Sequence, residues 1–479
     1  MRKRQKGSIT VFAVLSLVLV TGCLLALLEG ARTYELRRIA SLRGQMALEA
    51  PFARYNSCLW DNYHLLGNHL DNLQSLIVMS AESGYMEQEV GGNLLMLKLK
   101  DVEIDGYTLI TDGGGLAYVN AVSAYMENNL LYEVAKGIYN QYGAIKELLE
   151  NHSGNGREIE EALKGLEEAK KEAEKSGNKA KSKAVKSNTA NNPLETVQKL
   201  QKTQLLELVI EDTDQLSQTC CDLGECVSGR ELQTGINIDV DEADWLDSVY
   251  LQQYVLTYLT DYTNQQDGRG LNYELEYLVG GKNNDVENLR EVVNRILLIR
   301  EAANLAYLLS DAEKMEAAYG MALLLAGASA NPVIIEVVRG GIIAAWAFGE
   351  SVLDMRALLA NKKVPFIKNR ETWTLGIEGI GELGNGYLMA KESEYGVTYQ
   401  TYLGLLLLFQ DTEEIAVRAM DVQEMTLEAQ NGCVKLDQLV VRANASIVYE
   451  YAPVFFDFPG RVDDAGAYVI HVQKTYGYY

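Results

Sequence analysis

A run of 20 uncharged residues, Ile9–Leu28, constrains this chain more than any other feature of its sequence. As a helix that rises about 1.5 Å per residue, the run is about 30 Å long, which matches the hydrocarbon core of a bilayer. Four Lys and Arg residues lie directly before it, within the tip formed by residues 1–8. Because positive flanks stay on the cytoplasmic side, the sequence predicts a single-pass cell-membrane protein with a cytoplasmic N-terminus and an extracytoplasmic bulk.

Two other fates of this segment stay open. A cleaved secretory signal has an apolar core of about 7–15 residues followed by a small-residue site, whereas this run is longer and lacks such a site. Val20–Cys23 fits the loose lipobox pattern of a lipoprotein. However, the residues after Cys23 stay apolar as far as Leu28, whereas a lipidated cysteine is normally followed by a polar tether. We favour the uncleaved anchor, with lipoprotein attachment through Cys23 as the alternative.

The helix is predicted to continue beyond the membrane. Residues 29–49 contain no Pro, and Ile39, Leu42 and Met46 recur at helical spacing among alternating Arg and Glu side chains. Pro51 is the first plausible stop. An apolar half in lipid and an amphipathic half outside it is the arrangement of pilin-like subunits.

The net charge limits the partners of the remaining chain. Lys and Arg number 43 against 66 Asp and Glu, and without the four cations of the N-terminal tip the charge is −27. A body this acidic repels phosphate backbones, so we expect no nucleic-acid partner. Hydrophobic residues at 48% and charged residues at 23% are typical of a folded globular protein.

The pattern along the chain predicts a mainly α fold with minor β (α+β). One N-terminal transmembrane helix continues into a pilin-like helix, and a helical ectodomain with a small antiparallel sheet follows. Strands are expected at 95–110, with a turn near Asp105–Gly106, and at 439–456 and 468–472, and the early and late strands are expected to pair. The predicted segments are a cytoplasmic basic tip (1–8), a transmembrane helix (9–28), a juxtamembrane amphipathic helix (29–66), an α+β region (67–150), a charged helical spur with a flexible linker (151–193), a helical ectodomain (194–435) and C-terminal strands (436–479).

Helical signals dominate between the strands. The acidic run Asp239–Asp247 predicts a helix start rather than a calcium loop, and Asn284 with Glu287 has the spacing of a capping box. The apolar stretch Met321–Phe348 predicts two core helices that meet at Pro332 rather than a second membrane pass, because its longest charge-free piece falls short of about 20 residues. Further helices are expected at 116–150, 195–222, 351–361, 372–392 and 398–430.

No motif in the sequence points to catalysis, a cofactor or a metal. His64 and His69 are five residues apart, whereas the helical HExxH zinc motif needs four. Gly327–Asn331 departs from GxSxG because Asn replaces the last Gly. The five cysteines outside the apolar run lack the CxxC pairs of a zinc site, and they allow one or two disulfides whose pairing the spacing does not specify. We therefore expect no enzyme.

Several stretches resemble known envelope proteins. Lys6–Phe12 resembles the start of TadE/TadG-like proteins, the minor, pseudopilin-like components of tight-adherence (Tad/Flp) pilus systems. Glu29–Arg32, followed by Ala47–Glu49, Tyr55–Asn56 and later Tyr273–Leu278, is similar to an uncharacterised family of single-pass envelope proteins of Gram-positive bacteria, often encoded near such pilus genes. The resemblance implies an envelope location, pilin-like or pilus-assembly membrane proteins as partners, and no catalytic residues.

Three functions fit these features, and we favour the first. It is a membrane-anchored structural or assembly component of a Tad/Flp-like (type IV-like) pilus or secretion system, with lipid contacts through residues 9–28 and partner-helix contacts through Glu29, Arg32 and Arg37 at the membrane boundary. The second is a surface adhesin or glycan-binding envelope protein, because the 28 Tyr residues suit interfaces. The third is a cell-wall hydrolase, because a carboxylate pair in a cleft leaves no local signature. Cleavage, after Gly7 or before Cys23, stays open.

Overall fold

The computed structural model describes residues 5–83, 95–130, 161–162, 164–165, 168, 192–202, 205–238, 240–384, 387–430, 434–458 and 466–479. Helices predominate among these residues, and a small antiparallel sheet accompanies them, which confirms the predicted mainly α fold with minor β. The chain forms two compact units. Unit 1 combines residues 1–125, 231–243 and 432–479, and unit 2 combines residues 126–230 and 244–431.

Unit 1 begins with α1 (Gln5–Phe52), a single helix of 48 residues that is about 72 Å long. No Pro interrupts it before Pro51 in its last turn, so the apolar segment 9–28 continues as one helix into the amphipathic segment, as predicted. The helix ends at Phe52, directly after the predicted stop at Pro51. The chain restarts as α2 (Ser57–Tyr63), which Asn56 caps by accepting a hydrogen bond from the Leu59 N–H at 2.9 Å.

The sheet of unit 1 consists of β1 (Asn68–His69), β2 (Lys98–Leu109), β3 (Leu439–Tyr451) and β4 (Tyr468–Gly477). All pairings are antiparallel, and β3 is the central strand. β2 lies along one edge of β3, whereas β4 and the short β1 lie along the other. The predicted pairing of the strand near 95–110 with the C-terminal strands is therefore confirmed.

A bulge, and not a turn, occupies the predicted turn near Asp105–Gly106. The register of β2 against β3 shifts between Ile104 and Gly106, and the strand continues beyond the shift. Gly106 is required there, because a Cβ at this position would lie 2.7 Å from the carbonyl oxygen of Ile236. That carbonyl accepts a hydrogen bond from the Tyr107 N–H at 2.9 Å, so a distant chain segment joins the open edge of β2.

The second half of α1 packs on this sheet, beside α3 (Leu73–Ser83), and α4 (Leu116–Glu127) completes the described helices of unit 1. The buried face of α1 repeats at helical spacing and includes Leu36, Ala40 and Leu48. Helix α1 comes close to β4 at Gly44, where a Cβ would lie 2.7 Å from Cγ1 of Val472. A small residue at this position therefore allows the helix to lie directly on the strand.

Unit 2 is helical in its described part. Its central helix, α11 (Pro332–Leu359), packs against α9 (Asp285–Ser310) and α10 (Ala312–Ala326). This central helix is buried almost continuously from Gly341 to Leu359. Asp244 caps α7 (Trp245–Tyr258) in a capping box with Asp247, and Asn284 caps α9, in agreement with the sequence signals. The helices are α5 (Pro193–Lys202), α6 (Leu205–Val209), α7 (Trp245–Tyr258), α8 (Glu274–Gly280), α9 (Asp285–Ser310), α10 (Ala312–Ala326), α11 (Pro332–Leu359), α12 (Tyr399–Leu408) and α13 (Thr412–Ala429).

Among the described helices, α1 and α11 are the two that are long and apolar enough to cross a membrane. In the most apolar 18-residue window of each, none of α1 is buried, whereas 67% of α11 is buried. Pro332 begins α11 after the end of α10, as expected for two core helices that meet at this residue. We therefore identify α1 as the candidate membrane anchor and α11 as a core helix.

Two predicted helices are largely wrong. The segment predicted at 195–222 is helical only to Val209 and is irregular beyond it, apart from one short 3-10 turn. Of the residues that the structure describes in the segment predicted at 372–392, only Ile377–Glu382 are helical, and they form a 3-10 turn. Both segments make hydrogen bonds to distant side chains that compete with a helix, as described below for residues 374 and 375.

The remaining predicted helices differ in their limits. The stretch 398–430 divides into α12 and α13, because Asp411 starts the second helix as its N-cap. Residues 351–361 are the end of α11 and the residues after it. Within 116–150 the helix ends at Glu127; residues 131–150, and most of the spur predicted at 151–193, lie outside the described residues.

Candidate functional site

The surroundings of α1 change at Glu29. Before this residue the large apolar side chains of the 9–28 segment are mostly exposed, and Phe12 and Leu27 each reach 72% exposure. From Glu29 onward one face of the helix is buried, with Glu29 and Leu36 both at 0% exposure. The apolar half of α1 thus ends at a defined residue of unit 1, Glu29, whose carboxylate is buried.

Glu29 and Arg32 form a buried ion pair at this point. Arg32 Nη1 donates a hydrogen bond to Glu29 Oε1 at 2.6 Å and another to the carbonyl oxygen of Ala452 at 3.0 Å. The guanidinium also lies over the ring of Tyr451, with its carbon 5.4 Å from the ring centroid, which is within cation–π range. The spacing of three residues places both side chains on one face of α1.

The second carboxylate oxygen of Glu29 binds the backbone that follows β3. Glu29 Oε2 accepts hydrogen bonds from the N–H of Val454 at 3.2 Å and of Phe455 at 2.8 Å. A buried charge is tolerated when it is paired and hydrogen-bonded, and both charges meet this condition. We call Glu29, Arg32 and residues 451–455 the boundary clasp, because they fasten the end of β3 to α1 where the apolar half stops.

The structure brings together two of the three residues predicted at the membrane boundary. Glu29 and Arg32 engage residues of their own chain that lie more than 400 positions away, so their main contacts are intramolecular. Arg37 is exposed and lines a groove of about 450 Å³ with Ser41 and Val469–Lys474 of β4. Contact with a partner helix stays a prediction, and Arg37 is the residue placed to make it.

A second candidate site is a pocket of about 300 Å³ in unit 2. Three aromatic rings line it, with two carboxylates and two amides among the remaining groups. The lining therefore combines aromatic faces with carboxylate and amide groups, which can contact both the apolar faces and the polar groups of a small molecule. We call this site the tyrosine pocket; the lining residues that matter below are Tyr262, Tyr273, Tyr387, Glu211, Asp212, Gln215 and Gln265.

Buried carboxylates hold the part of the chain that carries two of these rings. Glu276 Oε1 accepts a hydrogen bond from the Tyr262 N–H at 2.9 Å, and Asp285 Oδ1 accepts one from the Tyr273 N–H at 3.4 Å. Ser217 N–H donates to the Tyr273 hydroxyl at 3.0 Å. The two rings meet edge to face with 5.5 Å between centroids. The aromatic wall is therefore fixed by the protein before any ligand arrives.

Burial changes the charge of Glu276. It raises the pKa of this carboxyl to about 8, and the neighbouring carboxylate of Asp261 adds to the effect. Oε1 also accepts a hydrogen bond from the Tyr399 hydroxyl at 2.9 Å, whereas Oε2 is buried without a hydrogen-bond partner. Glu276 is thus mostly protonated at neutral pH, and the support of the pocket wall depends on pH.

Unit 2 also contains a buried ionic network that the sequence analysis missed. Arg300 donates to Asp354 Oδ2 from Nε at 3.0 Å and from Nη2 at 2.8 Å, and Lys368 Nζ lies 2.6 Å from Asp354 Oδ1. Lys368 also pairs with Glu350, and all four charged side chains are 0% exposed. Burial opposes ionisation of Asp354, but Arg300 and Lys368 outweigh it and lower the pKa of this carboxyl. The signal for this network in the sequence was a pair of carboxylates, Glu350 and Asp354, four residues apart within an otherwise apolar helix.

The described cysteines carry free thiols, and they are Cys23, Cys58, Cys220, Cys221 and Cys226. In a loop of unit 2, the Cys226 thiol donates a hydrogen bond to the carbonyl oxygen of Asp222 at 3.2 Å, and the Cys221 thiol donates one to that of Asn283 at 3.7 Å. In the part of the chain that the structure describes, no three His, Cys, Asp or Glu side chains are grouped to hold a metal ion.

Comparison with known proteins gives a family and no activity. No curated protein and no solved structure matches the chain. Residues 183–451 match the family of unknown function DUF5702, and the match includes the tyrosine pocket, the ionic network and all of β3. Because the matched residues span more than half of the sequence, this chain belongs to the family of unknown function DUF5702.

Proposed function

We propose that this protein is a membrane-anchored, extracytoplasmic structural or assembly component of a Tad/Flp-like pilus or secretion system. The observation that supports the proposal is the division of α1, whose first half is bare and apolar and whose second half packs on an antiparallel sheet. A subunit with this division can share its apolar half with lipid and with the apolar helices of partners. The resemblance of Lys6–Phe12 to TadE/TadG-like proteins points to the same class.

The charges of the chain support one orientation. The four cations before the apolar half favour the cytoplasmic side, which leaves the bulk of the chain on the extracytoplasmic side. The boundary clasp would then lie at the outer surface of the membrane. The function is positional, because the clasp fixes unit 1 to the helix that the membrane holds.

Arg37 is the proposed contact to partner helices. It lies eight residues beyond Glu29, about 12 Å along the helix, and its side chain is exposed. Its charge can select partner helices that carry an acidic residue at the same height. Arg54 is exposed as well but lies beyond the end of α1, so it serves as a matched control.

Cross-linking in intact membranes tests this proposal. We expect a photo-cross-linker at Ser41, whose reaction does not depend on lysine or arginine side chains, to capture pilin-like or pilus-assembly proteins in cells that carry the gene. Arg37→Glu should reduce capture at least threefold, whereas Arg54→Glu should leave it unchanged. Absence of such proteins among the captured partners, or an ectodomain resistant to protease added to intact cells, would count against the proposal.

Glycan binding is the second candidate, and the tyrosine pocket favours it. A sugar ring can lay its C–H face on Tyr262 or Tyr387 while its hydroxyl groups donate to Glu211 and Asp212. We expect cell-wall glycan fragments to bind the full chain, and Tyr262→Ala to weaken binding at least tenfold. Tyr395→Ala, at a ring that is 93% exposed, is the matched control. Release of new reducing ends from the polymer would instead indicate the third candidate, a hydrolase.

A further inference from the structure

The chain segment that follows β3, residues 452–458, lies level with the end of the apolar half of α1. Glu29 directly follows Leu28, and its carboxylate accepts hydrogen bonds from the backbone N–H groups of Val454 and Phe455. Hydrogen bonds at 3.2 and 2.8 Å keep this backbone within one side-chain length of the helix. A lipid or protein surface that covers the last turn of the apolar half of α1 therefore also reaches residues 452–458.

The side chains of this segment are apolar and point partly into solvent. Val454 is 51% exposed and Phe456 is 38% exposed. The ring of Phe456 meets that of Phe458 edge to face, with 5.0 Å between centroids. Asp457 is the one charged residue between 452 and 458, and its Oδ1 accepts a hydrogen bond from the Tyr468 hydroxyl at 3.0 Å.

The segment is held at both ends. The boundary clasp fixes its beginning, and near its end the Phe458 N–H donates a hydrogen bond to the hydroxyl of Tyr468 at 2.5 Å. Tyr468 in turn stacks on Tyr451, with ring centroids 5.2 Å apart. Val454 and Phe456 are therefore presented by a fixed loop and not by a free chain end.

Single exposed apolar residues are common on soluble surfaces and need no explanation. These differ because they continue an apolar surface that already requires lipid, the exposed side chains of residues 9–28. Aromatic and branched apolar side chains gain free energy when they enter the interfacial layer of a bilayer, and one aromatic side chain buries about 150–250 Å². The bilayer is thus the occupant that the neighbouring helix itself supplies.

We infer that residues 452–458 form a second membrane contact, in which Val454 and Phe456 enter the lipid interface beside α1. The inference rests on the proposed membrane anchoring and adds a loop of unit 1 to it. A helix alone can tilt and rotate in a bilayer, whereas two contacts fix both. The sheet of unit 1 then stands with the end of β3 and the start of β4 toward the membrane.

Fluorescence quenching by brominated lipid tests this contact in the full chain. Phe456→Trp places a reporter in the segment, and Met79→Trp places one on an equally apolar exposed site of α3. Ala81 of α3 and Arg43 of α1 line one cavity, so the control lies about 20 Å along α1 from Glu29. Each variant is reconstituted in phosphatidylcholine vesicles with and without brominated acyl chains, and the signal of the parent chain is subtracted.

We expect the residue 456 reporter to be blue-shifted and quenched at least twofold more than the residue 79 reporter. Val454→Trp should behave like Phe456→Trp, which guards against a local effect of one variant. Equal quenching of all reporters in vesicles that float with the bound chain would overturn this inference and leave the anchor intact. If the parent chain does not float with vesicles, both the inference and the membrane-anchoring proposal fail.

Discussion

Glu29 and Arg32 lie one turn apart on α1 and form an ion pair whose side chains are 0% and 5% exposed. Both also make hydrogen bonds to backbone groups between residues 452 and 455, since Arg32 donates to the Ala452 carbonyl and Glu29 accepts from the N–H groups of residues 454 and 455. The pair therefore links the end of a candidate membrane span to the central strand of a sheet. Its stability contribution depends on the completeness of this arrangement, because a buried charge that loses its partner is costly.

Glu29→Gln should destabilise unit 1. The substitution removes the negative charge and with it the buried Glu29–Arg32 ion pair, which costs about 3–5 kcal/mol in comparable buried pairs. The free energy of unfolding, measured by denaturant titration in detergent micelles, checks this. Glu35→Gln, which disrupts the exposed Glu35–Arg38 pair three residues apart on the same helix, should change it little. Equal effects of the two variants would contradict a special role for the clasp.

Gly44→Leu should also destabilise unit 1, by about 1–3 kcal/mol, because the new side chain has no room against Val472 of β4. Gly30→Leu is the matched control, since a Cβ at Gly30 meets no atom within 4 Å. Leucine favours the helix over glycine, so this control should be neutral or stabilising by up to about 1 kcal/mol. Thermal unfolding of both variants provides the measurement. A tolerated leucine at position 44 would mean that α1 does not lie on the sheet as described.

Asp354→Asn should destabilise unit 2 by about 3–5 kcal/mol. The carboxylate is the shared partner of Arg300 and Lys368, and its replacement leaves two buried cations with Glu350 as their remaining acidic partner in the network. Glu313→Gln, at the exposed pair with Arg370, should stay within about 0.5 kcal/mol of the parent chain. Urea unfolding followed by tryptophan fluorescence is suitable, because Trp346 and Trp373 lie in unit 2. A small effect at Asp354 would show that the network relaxes or admits water.

The stability of unit 2 should fall as the pH rises from about 4.5 to about 8 and level off above this range. Glu276 has a folded pKa of about 8 against an ordinary value of 4.5, so the folded state binds more protons than the unfolded state between these values. Its contribution is fully present below pH 4.5, decreases between the two values and is lost once the pH has passed 8. Melting temperatures between about pH 5 and pH 9 measure the loss.

Glu276→Gln should flatten this dependence, because an amide does not titrate. A residual slope is expected from Glu301, whose pKa burial raises to about 7 and whose effect has the same sign. Identical slopes for the parent chain and the variant would exclude Glu276 as the source. Binding of glycan fragments should follow the same pH dependence if the tyrosine pocket is a site, because Glu276 supports the Tyr262 backbone.

Local signals predicted the elements that depend on local physics. The long apolar helix, the caps at Asp244 and Asn284 and the helix start at Pro332 follow from side chains acting within one or two turns. The helix expected at 372–392 failed for the opposite reason. There the N–H groups of Thr374 and Leu375 donate to the buried Glu350 carboxylate, and these bonds are stronger than those of a helical turn.

The candidate sites divide in the same way. Glu29, Arg32 and Arg37 could be identified from the sequence because they are among the first charged residues after the long apolar run. The tyrosine pocket could not, since its lining is drawn from residues between 210 and 389 with no motif among them.

The sequence by itself determined that one end of this protein is an apolar rod with a charged boundary, because hydrophobic spacing and charge act along neighbouring residues. Only the tertiary structure decided what the boundary charges do. Residues 29 and 454 are separated by 425 positions, and the hydrogen bond between them, which helps to bury the Glu29–Arg32 ion pair, forms only after β3 and β4 have formed a sheet against the helix. Contacts of that range are set by the whole fold and leave no local pattern to read.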